Sequence, residues 1–226
     1  MPLRAVVFDF DGVIVDSEPL HYRSLHEALL PEGIEITEEE YLHAYLAYDD
    51  RGAIRRALER HGDGYDPARV DRIESHKVEI FARMIPEIPV FAGARDLVRA
   101  LEPQLPLAIA SGARHDEVDA ILRGVGLHDA FAAIVGAEDA PRTKPDPAPY
   151  LEAARRLAVR APGLSPADCL AIEDSMPGIA AALAAGMKVL GVAHSYPAEK
   201  LRAAHRVVDS LVGVDAAGLR GLFASA

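Results

Sequence analysis

An alternation of short apolar runs and amphipathic segments after residue 90 constrains the fold most strongly. Runs such as Leu107–Ala110 and Ala133–Val135 have the length of strands, and segments such as Ala94–Leu101 and Ala148–Leu157 carry apolar residues at helical spacing. Strands that alternate with helices are typical of βαβ units, in which the strands are parallel. The predicted strands of this part are 107–110, 133–135, 170–172, 189–192 and 206–208. The sequence therefore predicts an α/β fold with a doubly wound, Rossmann-like parallel sheet.

A long helical segment interrupts this alternation near the start of the chain. The apolar run Ala5–Phe8 is predicted to form a buried first strand. Residues 16–83 then contain no strand-like run, and apolar residues such as Tyr41, Leu42, Tyr45 and Leu46 are expected to share one helical face. The simplest architecture is a core with a helical cap domain inserted after the first strand. The predicted boundaries are 1–15 and 88–226 for the core and 16–87 for the cap.

Charge and composition limit the partners of the protein. The 226 residues carry a formal net charge of −11, which argues against nucleic acid because binding to a phosphate backbone needs a basic face. No apolar stretch reaches the roughly 18 residues of a membrane helix, and the first apolar run lacks a signal-peptide cleavage pattern. The one cysteine, Cys169, excludes an internal disulfide. We therefore expect a cytoplasmic monomer that binds neither nucleic acid nor membranes.

Polar residues follow four of the predicted strands. They are Asp9 and Asp11 after the first strand, Ser111 and Gly112 after the second, Lys144 in the loop beyond the third, and Glu173 and Asp174 after the fourth. Because ligand sites of doubly wound sheets form at the carboxyl ends of the strands, we expect these residues to lie together.

The four carboxylates have the chemistry of a magnesium site. Mg²⁺ takes oxygen ligands, usually one or two carboxylates together with waters and phosphate oxygens. Asp9 and Asp174 could bind it directly, and the backbone carbonyl of Asp11 could complete the protein ligands. Glu173 could bind through a water molecule. The sequence therefore predicts Mg²⁺ as the cofactor.

The remaining residues suit phosphoryl transfer. Lys144 would neutralise charge on the transferring group, and the Ser111 hydroxyl and Gly112 amide could donate to phosphate oxygens at a strand-to-helix turn. One carboxylate is then available to attack phosphorus, and another two residues further on can protonate the leaving oxygen and later activate water. Any one of these motifs alone would be weak, but their conjunction at successive strand ends indicates a phosphotransferase.

These motifs resemble those of the haloacid dehalogenase-like superfamily. The matching segments are Asp9-Phe10-Asp11-Gly12-Val13 with Asp16-Ser17-Glu18, Ala110-Ser111-Gly112, Lys144-Pro145 with Pro147, and Ile172-Glu173-Asp174-Ser175 with Gly178. The helical insert after the first motif is similar to the cap of the group that includes β-phosphoglucomutase and phosphoglycolate phosphatase.

The resemblance implies a role for each core residue. Asp9 would be the nucleophile, Asp11 the general acid and base, and Ser111 and Lys144 the ligands of phosphate. The implied magnesium site comprises Asp9, the Asp11 carbonyl, Glu173 and Asp174. A second carboxylate at Asp11 also implies a phosphate enzyme rather than a dehalogenase.

In the cap, the resemblance points to Arg51, Lys77 and His21 as residues that bind substrate. For each residue there is an alternative interpretation without a role in substrate binding. Arg51 could pair with acidic neighbours on the surface, Lys77 could be an exposed helical residue, and His21 a partly buried one. Residues 48–50 differ from the glycine-containing cap loop that is expected of a sugar-phosphate mutase.

Three functions follow from these observations. The first is a magnesium-dependent phosphatase that hydrolyses a small phosphorylated metabolite, such as a sugar phosphate, through an aspartyl-phosphate. The second is a sugar-phosphate isomerase like β-phosphoglucomutase, whose core residues would be nearly the same. The third is a binding module that retains the fold without catalysis, which the complete set of catalytic residues makes the weakest of the three.

Overall fold

A parallel β-sheet forms the framework of the computed structural model, which describes residues 2–46, 48–62, 64 and 66–224. The strands are β1 (Ala5–Phe8), β2 (Leu107–Ala110), β3 (Ala133–Val135), β4 (Cys169–Glu173), β5 (Lys188–Val192) and β6 (Arg206–Val208). The helices are α1 (Glu18–Leu29), α2 (Glu38–Ala44), α3 (Asp50–Arg60), α4 (Pro67–Met84), α5 (Ala94–Leu101), α6 (His115–Gly124), α7 (Ala148–Leu157), α8 (Met176–Ala184) and α9 (Ala216–Ala224).

The order of the strands places β1 in the middle of the sheet. The order is β3-β2-β1-β4-β5-β6, and each neighbouring pair is parallel. The connections therefore run outward in opposite directions on the two sides of β1, which makes the carboxyl end of β1 the switch point where ligands bind in such sheets. This arrangement confirms the prediction of a doubly wound α/β fold.

The register aligns the strand ends around this switch point. Phe8, the last residue of β1, lies beside Ile109 of β2 and Ile172 of β4. All four residues of β1 are buried, as expected for a central strand that is covered on both faces. The residues that follow β1, β2 and β4 are consequently carried to the same edge of the sheet.

Closely packed helices hold the sheet in place. Helix α7 contacts β1, β2 and β3, and α8 contacts β4 and β5. Their buried faces are rich in alanine, for example Ala153 and Ala181, so the helices approach the strands closely. Larger side chains such as Leu157 and Ile179 are also buried there, and each contributes roughly 1.5–3 kcal/mol of hydrophobic stabilisation.

The residues up to Asp16 together with those from Pro89 onward form one compact unit, called here the α/β unit. Residues Ser17–Ile88 form a second, called the helical unit. The roles of the two units as core and cap stay a prediction. No helix in the described parts of the chain has both the length and the apolar character to cross a membrane.

Helices α1 and α4 pack against each other in the helical unit, and α3 packs against both. Asp66 caps α4 by accepting a hydrogen bond of 3.0 Å from the Ala68 amide, with Pro67 at the first helical position. This start was expected from the sequence.

The shared face proposed for α2 is wrong in part. Tyr41 and Tyr45 are buried, but Leu42 and Leu46 are 48% and 45% exposed. The helix ends at Ala44, and a residue one position beyond a buried one is rotated about 100° around the axis, which turns Leu42 outward.

Candidate active site

Asp9 lies directly after β1, at the switch point of the sheet. Its amide donates a 2.9 Å hydrogen bond to the Ile172 carbonyl, so the backbone continues the strand pairing for one more residue. The side chain is buried, with the Oδ1 atom 2.6 Å from the Lys144 ammonium. Burial raises the pKa of Asp9 well above its ordinary value, the Glu173 carboxylate raises it further, and Lys144 offsets only part of the shift.

The turn after Asp9 depends on Gly12. Gly12 has a φ of +80° and its amide donates a 2.9 Å hydrogen bond to the Val15 carbonyl. Glycine adopts this left-handed conformation without steric cost. A Cβ atom at this position would also overlap the Asp174 carboxylate. The turn therefore brings the backbone around Asp11 against the end of β4.

Lys144 bridges two buried carboxylates. Its Nζ atom lies 2.6 Å from Asp9 Oδ1 and 2.7 Å from Glu173 Oε1. Burial alone would lower the pKa of Lys144, but the charges of the two carboxylates outweigh burial and raise it. The side chain therefore stays an ammonium at neutral pH, as a group that binds a phosphate anion must.

Glu173 is held by a dense set of hydrogen bonds. Oε1 accepts from Lys144 and from the Tyr150 hydroxyl, at 2.7 and 2.9 Å. Oε2 accepts from the Asp174 amide at 3.1 Å and from the Ser175 amide and hydroxyl at 3.0 and 2.9 Å. Burial opposes ionisation, but the Lys144 charge together with the hydrogen bonds from Lys144, Ser175 and Tyr150 outweighs burial and lowers the pKa of Glu173. A Cβ atom on Gly178 would overlap this carboxylate, so glycine is required there too.

Asp174 completes a group of carboxylates that could hold a metal ion. It is 4% exposed, its Oδ2 atom accepts a hydrogen bond from the Ser195 hydroxyl, and burial raises its pKa to about 6. Asp9, Glu173 and Asp174 each offer an oxygen within 4.8 Å of the others. Three negative charges face the one positive charge of Lys144, so the residues fit a hard divalent cation.

Ser111 and Gly112 follow β2 on the same edge. The Ser111 amide donates to the Val135 carbonyl at 2.9 Å, and its hydroxyl accepts from the Ala113 amide at 3.0 Å. Both residues line a cavity of about 200 Å³ together with Lys144. The cavity is also lined by Ala137, Arg142, Thr143 and Pro149. A larger cavity of about 470 Å³ lies near the start of β2, at the other edge of the sheet, and contains none of the predicted residues in its lining.

The residues predicted in the helical unit form two separate groups. The Lys77 ammonium lies 2.7 and 2.8 Å from the two Asp50 oxygens and 3.0 Å from His21 Nδ1. Lys77 is 2% exposed, so the alternative of an exposed helical residue is wrong. Arg51 instead lies 2.7 Å from Asp71 and 2.6 Å from Glu74, the local pairing that the sequence left open.

Sequence reasoning missed Tyr150 and Ser195, which contact Glu173 and Asp174. Tyr150 lies on the buried face of α7. A buried tyrosine hydroxyl needs a hydrogen-bond partner, so its place in the helical pattern could have indicated a polar contact. Ser195 lies in the loop after β5. No carboxylate, lysine or recognisable motif in that loop pointed to it.

The family model described as haloacid dehalogenase-like hydrolase matches residues 3–186. The chain belongs to this family, which confirms the resemblance seen in the motifs. It is 30% identical over 195 residues to hexitol phosphatase B of Escherichia coli strain K12, an alignment that covers 84% of this chain and 83% of that protein. The prediction of a phosphatase enzyme of this family is thereby confirmed.

Solved structures agree with this assignment. CbbY from Rhodobacter sphaeroides, crystallised in complex with phosphate, superposes with a TM-score of 0.80 and 27% identity, covering 97% of this chain and 99% of that one. β-Phosphoglucomutase from Clostridium difficile superposes with a TM-score of 0.76 and 25% identity, covering 98% and 97% of the two chains.

Proposed function

We propose that the protein is a magnesium-dependent phosphatase that hydrolyses a small sugar phosphate through an aspartyl-phosphate on Asp9. The observation that carries this proposal is the buried cluster of Asp9, Lys144, Glu173 and Asp174, which lies at the switch point of the sheet. The cluster holds an attacking group, a cation and an excess of negative charge. Phosphoryl transfer needs little else beyond positioning and charge neutralisation.

Asp9, Glu173 and Asp174 would hold Mg²⁺, together with the Asp11 backbone carbonyl. Mg²⁺ would supply charge neutralisation for the phosphoryl group and for the attacking carboxylate. The raised pKa values of Asp9 and Asp174 support this assignment, because burial and mutual repulsion disfavour the ionised forms unless a cation compensates them. Glu173 would contribute its charge while its hydrogen bonds keep it oriented.

The side chains would then act in two steps. An oxygen of Asp9 attacks phosphorus, the bond to the sugar oxygen breaks, and Asp11 gives its proton to that leaving oxygen. Asp11 next takes a proton from a water molecule that attacks the acyl phosphate. This second step releases inorganic phosphate and restores the Asp9 carboxylate.

Lys144, Ser111 and Gly112 would hold the phosphoryl oxygens during both steps. Lys144 remains cationic because the neighbouring carboxylates raise its pKa. The Ser111 hydroxyl and the Gly112 amide would donate hydrogen bonds within the cavity that the three residues line.

The substrate class is inferred from the relatives. Hexitol phosphatase B is named for hexitol phosphates, and CbbY was crystallised with phosphate. Contacts from His21, Arg51 and Lys77 to the sugar stay a proposal. Arg51 and Lys77 already pair with carboxylates, so either one would have to exchange that partner for the substrate. The enzyme is proposed to be a cytoplasmic monomer.

A phosphate-release screen tests the proposal. Purified enzyme is incubated with hexose phosphates, hexitol phosphates, pentulose bisphosphates, phosphoglycolate and nucleotides, with Mg²⁺ or with excess chelator. We expect release from one or more sugar or hexitol phosphates that needs Mg²⁺ and is abolished in Asp9→Asn. Equal release in chelator, or normal turnover by the Asp9→Asn variant, would contradict the proposal.

A sugar-phosphate mutase is the second candidate, favoured by the similarity to the β-phosphoglucomutase structure. The product decides between the two. Conversion of β-glucose 1-phosphate to the 6-phosphate without free phosphate would support the mutase, whereas stoichiometric inorganic phosphate supports the phosphatase. Membership of a hydrolase family with every expected core residue present speaks against the non-catalytic module.

A further inference from the structure

The loop after β5 contacts both of the loops that form the proposed metal site. Its residue Ser195 donates a hydrogen bond to Oδ2 of Asp174. Its neighbour His194 donates from Nδ1 to the Gly12 carbonyl at 2.8 Å, in the turn that follows Asp11. The loop thus joins the ends of β1 and β4 through side chains that the sequence motifs do not include.

We propose that Ser195 is a positioning residue for Asp174, which orients that carboxylate for a divalent cation. The inference rests on the proposed function, because it assumes that Asp174 is a metal ligand. Ser195 would not touch the metal or the substrate. It would act by restricting the rotation of the Asp174 carboxylate before the cation arrives.

The surroundings of Asp174 explain why such a partner matters. The side chain is almost fully buried among like charges, and a carboxylate that rotated away from Asp9 and Glu173 would escape their repulsion. A hydrogen bond from a hydroxyl to one carboxylate oxygen opposes that rotation and favours the ionised form. Partners of this kind typically change metal affinity by about 10- to 100-fold.

Ser195 is itself held in a fixed position. The ring of His194 stacks on Phe91, with centroids 4.1 Å apart and planes 11° from parallel, while its Nδ1 atom binds the Gly12 carbonyl. A Cβ atom on Gly12 would overlap the Asp174 carboxylate and crowd the Ser195 hydroxyl. The three loops are therefore packed so closely that the serine hydroxyl has little freedom to turn elsewhere.

The exposure of Ser195 separates this role from a structural one. The residue is exposed, in contrast to the buried Asp174 that it contacts. Removal of one hydroxyl from an exposed residue costs little packing, so Ser195→Ala is expected to fold with nearly the stability of the wild type. Its effect should be seen in metal binding.

Mn²⁺ binding to the metal-free protein, without substrate, tests the proposal. The amount of free Mn²⁺ is read from its electron paramagnetic resonance signal for the wild type, Ser195→Ala, Ser195→Thr and Asp174→Asn. Ser210→Ala, in the loop after β6, is the matched control because Ser210 bonds the Ala92 carbonyl and no carboxylate of the site. We expect Ser195→Ala to weaken binding by about 10- to 100-fold. Ser195→Thr, which keeps the hydroxyl, should restore most of the affinity, and Ser210→Ala should match the wild type.

Each other outcome has a distinct meaning. Equal affinity in Ser195→Ala and the wild type, or no rescue by threonine, would overturn the role of Ser195 and leave the proposed metal site intact. A wild type that binds Mn²⁺ no better than Asp174→Asn would overturn both. In steady-state assays the Mg²⁺ concentration for half-maximal activity should rise in Ser195→Ala, while kcat at saturating Mg²⁺ changes little.

Discussion

Two largely buried lysines, one in each unit, differ in the charges that surround them. Lys144 in the α/β unit and Lys77 in the helical unit have side chains only 13% and 2% exposed, and each contacts carboxylate oxygens at 2.6–2.8 Å. Lys77 pairs with Asp50, makes a cation–π contact with the Phe81 ring and contacts His21. Lys144 instead lies within a group of carboxylates that outnumbers it.

The difference between the two lysines is one of charge balance. A buried ammonium and a carboxylate that neutralise each other avoid much of the cost of burial, so Lys77 and Asp50 are consistent with a stable pair inside the helical unit. The three carboxylates around Lys144 leave a negative excess that is costly in a buried place. Burial raises the pKa values of Asp9 and Asp174, the Glu173 charge raises both further, and the arrangement suits a divalent cation.

Replacing the two lysines should give opposite results, and the largest effect is expected at Lys144. Lys144→Met should lower kcat/KM by about 10³-fold, because a charged donor to the phosphoryl oxygens is lost. Activity is measured on the substrate found in the screen, and circular dichroism confirms folding. A loss smaller than tenfold would show that Lys144 does not stabilise the transferring group.

Lys77→Met should instead act on stability. Removing the ammonium leaves the Asp50 carboxylate uncompensated. Because the Asp50 side chain is 36% exposed, the expected loss is roughly 1–3 kcal/mol in the free energy of unfolding. Urea denaturation measures this loss, and the double variant Lys77→Met with Asp50→Leu should recover much of it. If Lys77→Met is as stable as the wild type but loses activity, Lys77 binds substrate. The contrast between a stabilising Lys77 and a phosphate-binding Lys144 would then be wrong.

Divalent cations should stabilise the cluster around Lys144. Mg²⁺ at about 100 times its dissociation constant should add roughly 2.7 kcal/mol to the unfolding free energy of the wild type, since it binds the folded state. Thermal unfolding with and without Mg²⁺ measures the effect. Asp174→Asn should lose most of this stabilisation, while Asp50→Asn in the helical unit should retain it. Equal stabilisation of both variants by Mg²⁺ would mean that Mg²⁺ binds elsewhere.

A smaller effect on stability is expected at Asp139, whose carboxylate pairs with an arginine. Asp139 is partly buried, which opposes ionisation. The hydrogen bond of 2.6 Å from Arg156, the Arg156 charge and further hydrogen bonds from the Gly136 amide and His115 together outweigh burial and lower the pKa of Asp139 to about 2. The folded-state pKa lies below the unfolded one, so this stabilisation is present above about pH 4 and disappears as the pH falls towards 2.

Asp139→Asn should therefore lower stability at pH 7 by about 1 kcal/mol, with solvent screening taken into account, and should match the wild type near pH 2. Urea denaturation at several pH values measures this difference. A difference that persists unchanged at pH 2 would assign the effect to lost hydrogen bonds rather than to charge.

The fold and the proximity of the core polar residues could be predicted because both follow from topology. Strands such as Ala5–Phe8 and Leu107–Ala110 are recognisable as apolar runs, and the parallel sheet then brings their carboxyl ends together. Lys144 and Glu173 meet for this reason although they are 29 residues apart.

The remaining contacts depend on side-chain orientation, which the sequence pattern does not specify. Lys77 contacts His21, which is 56 residues away in the sequence. The sequence does not specify which faces of the helices in this bundle pack against each other. Ser195 reaches Asp174 only because the loop after β5 turns back over Gly12. The pairing of Arg51 with Asp71 and Glu74 likewise depends on how α3 and α4 pack.

Trapping the acyl phosphate tests the central claim most directly. The enzyme is mixed with its best substrate and Mg²⁺, quenched within the first turnover, and treated with borohydride, which reduces an acyl phosphate to an alcohol and converts that aspartate to homoserine. Mass spectrometry of the tryptic peptide that spans residues 5–23 then locates the change among Asp9, Asp11 and Asp16. We predict homoserine at Asp9, dependent on Mg²⁺ and absent without substrate. Homoserine at Asp11, or an unmodified peptide from enzyme that releases phosphate, would contradict the assignment of Asp9 as the nucleophile.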